Sequence, residues 1–147
     1  MASIEETLKK LNKDKKDEDK ASILGKKEII RTTTSTGSPY IDYITGGGFM
    51  NGAFNLLIAS GGVGKSSISL LACKDVIERT GKIAVYFDGE RTLSDSYFTR
   101  MGVPKDKFVH RVGRNLENML DEAELFAQSE DVGIIIMDSI PIFTAAA

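Results

Sequence analysis

Lys65 and Ser66 follow the small-residue run Ala59-Ser60-Gly61-Gly62-Val63-Gly64, and Asp138 follows a separate apolar run, Ile134-Ile135-Ile136-Met137. These residue types at this spacing do phosphate and metal chemistry. Successive backbone N–H groups in a loop of small residues curl around a phosphate. A lysine directly behind such a loop reaches the β- and γ-phosphates, and the next serine hydroxyl ligates Mg2+. A carboxylate at the end of a buried strand holds the same ion through its water shell. The pattern is G-x-x-x-x-G-K-[ST] with one departure, because its first glycine is Ala59 here; Gly61 and Gly62 keep the loop flexible. The expected ligand is a nucleoside triphosphate with Mg2+. Its binding set is Ser60, Gly61, Gly62, Val63, Gly64, Lys65, Ser66 and Ser67, with Ser66 and Asp138 on the metal.

The elements that must position these groups alternate between strand and helix. Glu28 to Thr33 reads as a β-branched strand, and Thr36 to Asp42 turns into a short helix ended by Gly46-Gly47-Gly48. Phe54-Asn55-Leu56-Leu57-Ile58 is expected as the strand feeding the glycine-rich loop, and a helix follows from Lys65 to about Arg79, closed by Gly81. Ile83 to Phe87 is the next strand, ending in Asp88-Gly89-Glu90. A short helix carries Leu93, Tyr97 and Met101 and stops at Gly102; Phe108-Val109-His110 is a brief strand. Asn115 caps a helix with Leu116, Met119, Leu120 and Ala123 on one face, and the strand ending at Asp138 comes last. The fold class is α/β, a parallel sheet with helices on both faces. Ligands on such sheets sit at the carboxyl ends of the strands, where Lys65, Glu90 and Asp138 all fall.

At 147 residues the chain is one domain's worth. A net charge of −2 advertises neither nucleic acid nor membrane as a global partner. Cys73 is the single cysteine, which excludes a disulfide framework and a multi-cysteine metal site, and its apolar setting reads as core. There is no apolar run of about 18 residues and no apolar leader, so the expectation is a soluble, cytoplasmic protein with no membrane partner.

Residues 1–28 read as an arm and 29–147 as a core. Ser3 with Glu6 forms a capping box, and Ile4, Leu8 and Leu11 share one helical face. The mixed charges from Asn12 to Lys20 read as a solvated tether.

Glu90 suggests turnover, because ATP hydrolysis needs a carboxylate that orients the attacking water. On spacing alone, an exposed loop glutamate is an equal alternative. Tyr97 fits half-buried core better than a platform for a nucleobase. His110 reads as strand packing or an exposed residue, and Arg111 and Arg114 as a solvated loop.

Thr34 to Phe143 resembles the ATPase core of the RecA recombinases in order and spacing. The resemblance is carried by Ser35-Thr36-Gly37-Ser38, Ile41-Asp42, Gly46-Gly47-Gly48, Gly52, Asp88-Gly89-Glu90, Tyr97, Arg100-Met101-Gly102-Val103 and Ile136-Met137-Asp138-Ser139. It implies a P-loop NTPase of RecA type, with ATP and Mg2+ as cofactors. Glu90 is then the water-activating residue, catalytic together with Lys65, and Tyr97 packs on adenine. Where the family has an acidic residue beside adenine, this chain has Ser94 with Asp95 adjacent. The short arm and Arg100-Met101-Gly102-Val103 look nearer to phage recombinases of the UvsX type than to long-armed bacterial RecA.

The resemblance also implies an ATPase that forms homo-oligomeric filaments on single-stranded DNA for homologous pairing, recombination and repair. The family's core continues past the strand ending at Asp138, so the chain is expected to be truncated after that strand and inactive alone. Its DNA contacts would lie in regions absent here. A missing strand is expected between the Asp138 strand and the loop-feeding strand. The alternatives are a non-catalytic nucleotide-binding or assembly module, and a RecA-fold helicase or RadA-like repair ATPase; no CxxC of a zinc ribbon is present.

Overall fold

The computed structural model describes residues 3–16, 20–21 and 32–140. The chain divides into two compact units, residues 1–31 and 32–147. In the first, helix α1 (Ile4–Leu11) starts at the expected capping box. The Ser3 amide donates to Glu6 Oε2 at 3.0 Å, and the Glu6 amide donates to Ser3 Oγ at 3.2 Å. Glu5 and Glu6 in the first turn and Lys9 and Lys10 in the last complement the helix dipole. The Asn12 side chain then brackets the backbone of Ala21, donating to its carbonyl and accepting from its amide.

The second unit opens with a small antiparallel pair, β1 (Thr33–Thr34) and β2 (Phe49–Met50). Of the strand expected over Glu28–Thr33, residues 28–31 lie outside the described residues; Thr33 falls in β1. The partner strand β2 had no signal in the sequence beyond two apolar residues after a glycine run. Helix α2 (Pro39–Thr45) lies between them, capped by Ser38, begun by Pro39 and ended by Gly46 in the left-handed region. Gly48, at φ 105°, lets the chain pass so close to the Thr34 carbonyl that a Cβ would overlap it.

The main sheet is parallel, in the order β4-β3-β5, from β3 (Ile83–Asp88), β4 (Phe108–Val112) and β5 (Val132–Asp138). Its helices are α3 (Lys65–Thr80), α4 (Asp95–Met101) and α5 (Leu116–Ala127). Period-two alternation assigns the faces. Ala84 and Tyr86 pack with Leu70, Cys73 and Ile77 of α3 and Phe98 of α4. Val85 and Phe87 point the other way, onto Met119 of α5. Helices therefore cover both faces, as nearly continuous apolar parallel strands require. Tyr86, Phe87, Leu70 and Met119 are fully buried, the last three each worth about 1.5–3 kcal/mol of apolar transfer.

The structure corrects one element. Phe54–Ile58 is not a strand, and Phe54, Leu56 and Ile58 are largely exposed. A strand exists only when a neighbour pairs with its backbone, and among the described residues β5 pairs with β3 alone. The segment is held by a side chain instead. The Asn55 amide accepts from the Met50 N–H and donates to the Met50 carbonyl, both at 2.9 Å, copying one rung of a ladder.

Candidate functional site

The carboxyl ends of β3 and β5 and the start of α3 converge on one cavity of about 220 Å3. Gly61, Gly62, Gly64, Lys65, Ser66 and Ser67 form one wall; Glu90, Tyr97 and Asp138 form the rest. Of the binding residues expected from the sequence, Ser60 and Val63 do not line it, and Val63 is exposed.

Gly64 caps α3 in the left-handed region at φ 99° and provides no side-chain cap. The first-turn amides of a 16-residue helix are therefore not closed off by a capping side chain, and the positive end of its dipole faces the cavity. Such an end is an anion site. Lys65 bends back over the loop, its Nζ donating to the Ala59 carbonyl at 3.0 Å and the Ser60 carbonyl at 2.9 Å. The residue standing where the motif has glycine thus contributes its backbone oxygen.

Ser66 donates to Asp138 Oδ2 at 2.5 Å, joining α3 to the end of β5 across the site. The same oxygen accepts from the Tyr86 hydroxyl at 2.6 Å, from inside the sheet. Burial first, and the adjoining Asp138 carboxylate second, push the Tyr86 hydroxyl well above the ordinary tyrosine range, so it stays a donor. Sequence reasoning missed Tyr86. The available signal was a tyrosine in a strand otherwise apolar up to its terminal aspartate, whose hydroxyl must find a partner once buried.

Glu90 sits in the loop after β3, and that loop is tied down at two points. The Gly89 amide donates to the Asp138 carbonyl at 2.8 Å, and Ser139 Oγ donates to Glu90 Oε1 at 2.8 Å. Buried Asp88 accepts from the Arg91 amide at 2.7 Å and the Leu93 amide at 3.3 Å, holding Arg91 at φ 57°. His110 Nε2 lies 3.2 Å from Asp88 Oδ2, and its ring packs edge-on against Phe98. His110, expected as strand packing or an exposed residue, is an exposed residue of β4 whose ring nonetheless rests on Phe98. Arg111 is corrected: it belongs to β4, not a loop, and makes a two-pronged pair with Glu122 of α5 at 2.7 and 2.8 Å.

Tyr97 packs against the α3–α4 core, and its hydroxyl lies 2.6 Å from Ser67 Oγ. The Arg100 guanidinium sits 5.2 Å from its ring centre. Cys73 is fully buried with its thiol pushed up to about 12 by desolvation, as its core reading requires. Among the described residues no three His, Cys, Asp or Glu side chains cluster as a metal cage, and no helix is long and apolar enough to cross a membrane.

Fold and site together define an α/β domain with a glycine-rich loop opening onto a helix at the carboxyl ends of parallel strands. The chain belongs to the family of the RecA N-terminal domain, whose family model matches residues 2–147. It is similar to Protein RecA of Staphylococcus aureus strain JH9, 32% identical over 117 residues, covering 79% of this chain and 33% of that protein. The same figures hold for Protein RecA of the strains Newman and N315. The chain spans about a third of the length of these curated relatives.

Proposed function

We propose that this chain is the ATP-binding part of a DNA recombinase, a P-loop NTPase of RecA type with residues 1–28 as an arm and 29–147 as part of the ATPase core. The observation that carries the reading is the contact of Ser66 with Asp138 at 2.5 Å, beside a helix N-terminus without a side-chain cap. In this reading the loop from Ser60 to Gly64 and Lys65 hold the phosphates, and Tyr97 supports adenine. Ser66 and Asp138 hold Mg2+. A hydroxyl and one carboxylate are hard oxygen donors, and Mg2+ takes few protein ligands alongside substrate phosphates, so this donor set fits the ion. When bound, the ion would neutralise charge developing on the phosphates. Glu90, oriented by Ser139, is the residue that would position the attacking water.

Family membership supports extending the reading to the whole protein: an ATPase that assembles as filaments on single-stranded DNA for homologous pairing and repair. The test is equilibrium binding of ATP with Mg2+ to this chain and to Lys65→Ala. A charge-assisted contact is worth about 1.5–3 kcal/mol, so affinity should fall at least about tenfold. Equal affinity in both proteins would overturn the reading.

A further inference from the structure

We infer that Tyr86 is a positioning residue for the Asp138 carboxylate, holding it for the incoming metal while Ser66 is the donor that exchanges. The inference rests on the proposed reading of Asp138 as a metal-side residue. Two donors share Oδ2: the Tyr86 hydroxyl at 2.6 Å and the Ser66 hydroxyl at 2.5 Å. Oδ1 takes no hydrogen bond among the described residues. The two donors differ in freedom. Tyr86 is fully buried, fixed in the middle of β3 and packed against Phe108, with ring centres 6.0 Å apart. Ser66 is half-buried, on the first turn of α3 at the cavity wall.

An aspartate's terminal torsion is soft and two-fold, so an unsupported carboxylate swaps its oxygens. A short hydroxyl-to-carboxylate bond from a fixed ring removes that freedom. Oδ2 then keeps one fixed donor from the sheet interior, so the carboxylate's orientation is set independently of Ser66. If Ser66 turns its hydroxyl to the metal, Oδ2 keeps the Tyr86 donor and is not stranded. Tyr86 thus does for Asp138 what the partners of metal ligands do generally, which is to set orientation before the metal arrives.

The experiment is Tyr86→Phe in this chain, reading ATP binding against Mg2+ concentration and again in EDTA. Loss of such a partner typically weakens metal affinity 10–100-fold. The Mg2+ midpoint should therefore rise by about tenfold, with metal-free ATP affinity unchanged. An unchanged midpoint, or an equal loss in EDTA, overturns the inference, the second by revealing a merely structural role. Asp138→Asn separates the two levels. If it shifts the midpoint and Tyr86→Phe does not, the inference alone fails; if neither shifts it, the metal-side reading of Asp138 fails as well. A measurement on the parent decides even where Tyr86→Phe does not fold. A slowly exchanging, downfield Tyr86 hydroxyl proton should persist at saturating Mg2+ and ATP. A freely exchanging one overturns the inference.

Discussion

The hydroxyls of Tyr97 and Ser67 lie 2.6 Å apart, tying α4 to the first turn of the helix behind the glycine-rich loop. Tyr97 is therefore both a core-packing residue and a wall of the cavity. Tyr97→Phe loses only the tie and should bind ATP nearly as the parent does. Tyr97→Ala also loses the ring, whose stacking is worth about 0.5–1.5 kcal/mol beyond area. Its affinity should fall about two- to tenfold, as read by equilibrium binding. Unfolding of Tyr97→Ala with no selective loss of affinity would make the tyrosine structural only.

Glu90→Gln keeps the size of the side chain and can still accept from Ser139, but loses the carboxylate charge. In the whole protein it should bind ATP with unchanged affinity and hydrolyse it at least about 100-fold more slowly, the usual range for a lost general base. Hydrolysis at the parent rate in single-turnover assays removes Glu90 from the chemistry.

Acid should weaken the fold through Asp42. It accepts from Ser35 Oγ, the Thr36 amide and Thr36 Oγ1, and these bonds, Ser35's foremost, hold its carboxyl below the ordinary 3.8. A folded-state value below the unfolded one means a contribution fully present above 3.8 and lost as pH falls through the folded value. Asp42→Asn should be less stable than the parent at neutral pH, with the gap narrowing in acid. Chemical denaturation at several pH values measures it, and a gap independent of pH would refute the assignment.

Cys73 should be inert to a thiol reagent while the chain is folded, because the thiol is fully buried and its thiolate is disfavoured by desolvation. Labelling should follow the unfolding transition in denaturant. Stoichiometric labelling in native buffer would show that α3 opens locally.

Exposed Phe54, Leu56 and Ile58 form an apolar stretch not covered by the sheet. The chain should bind a hydrophobic dye and self-associate as concentration rises. Phe54→Ser with Ile58→Ser should reduce both, and the melting temperature should change little because neither side chain is buried. A large drop in that temperature would mean the segment packs in solution.

Much of the site was already legible along the chain, because helix caps and apolar runs are local properties. Ser3, Asn115, Gly81 and Gly102 mark ends that follow from side-chain reach and left-handed backbone. The continuous apolar run Ile83–Phe87 announces a strand covered on both faces, while packing alone shows which side chains meet α3 and which meet α5. Residue types and spacing singled out Lys65, Ser66 and Asp138, and the resemblance to the RecA core added Glu90 and Tyr97. Only the folded chain decided which of them touch. That Ser66 and Tyr86 share one oxygen of Asp138 depends on β3 pairing with β5 in a register that sets Asp88 opposite Asp138. The failure at Phe54–Ile58 has the same origin: apolar pattern is a property of a segment, whereas a strand is a property of a pair. Hydrogen-bonded ladders and shared acceptors are non-local, and their geometry is written in the tertiary structure rather than in any stretch of sequence.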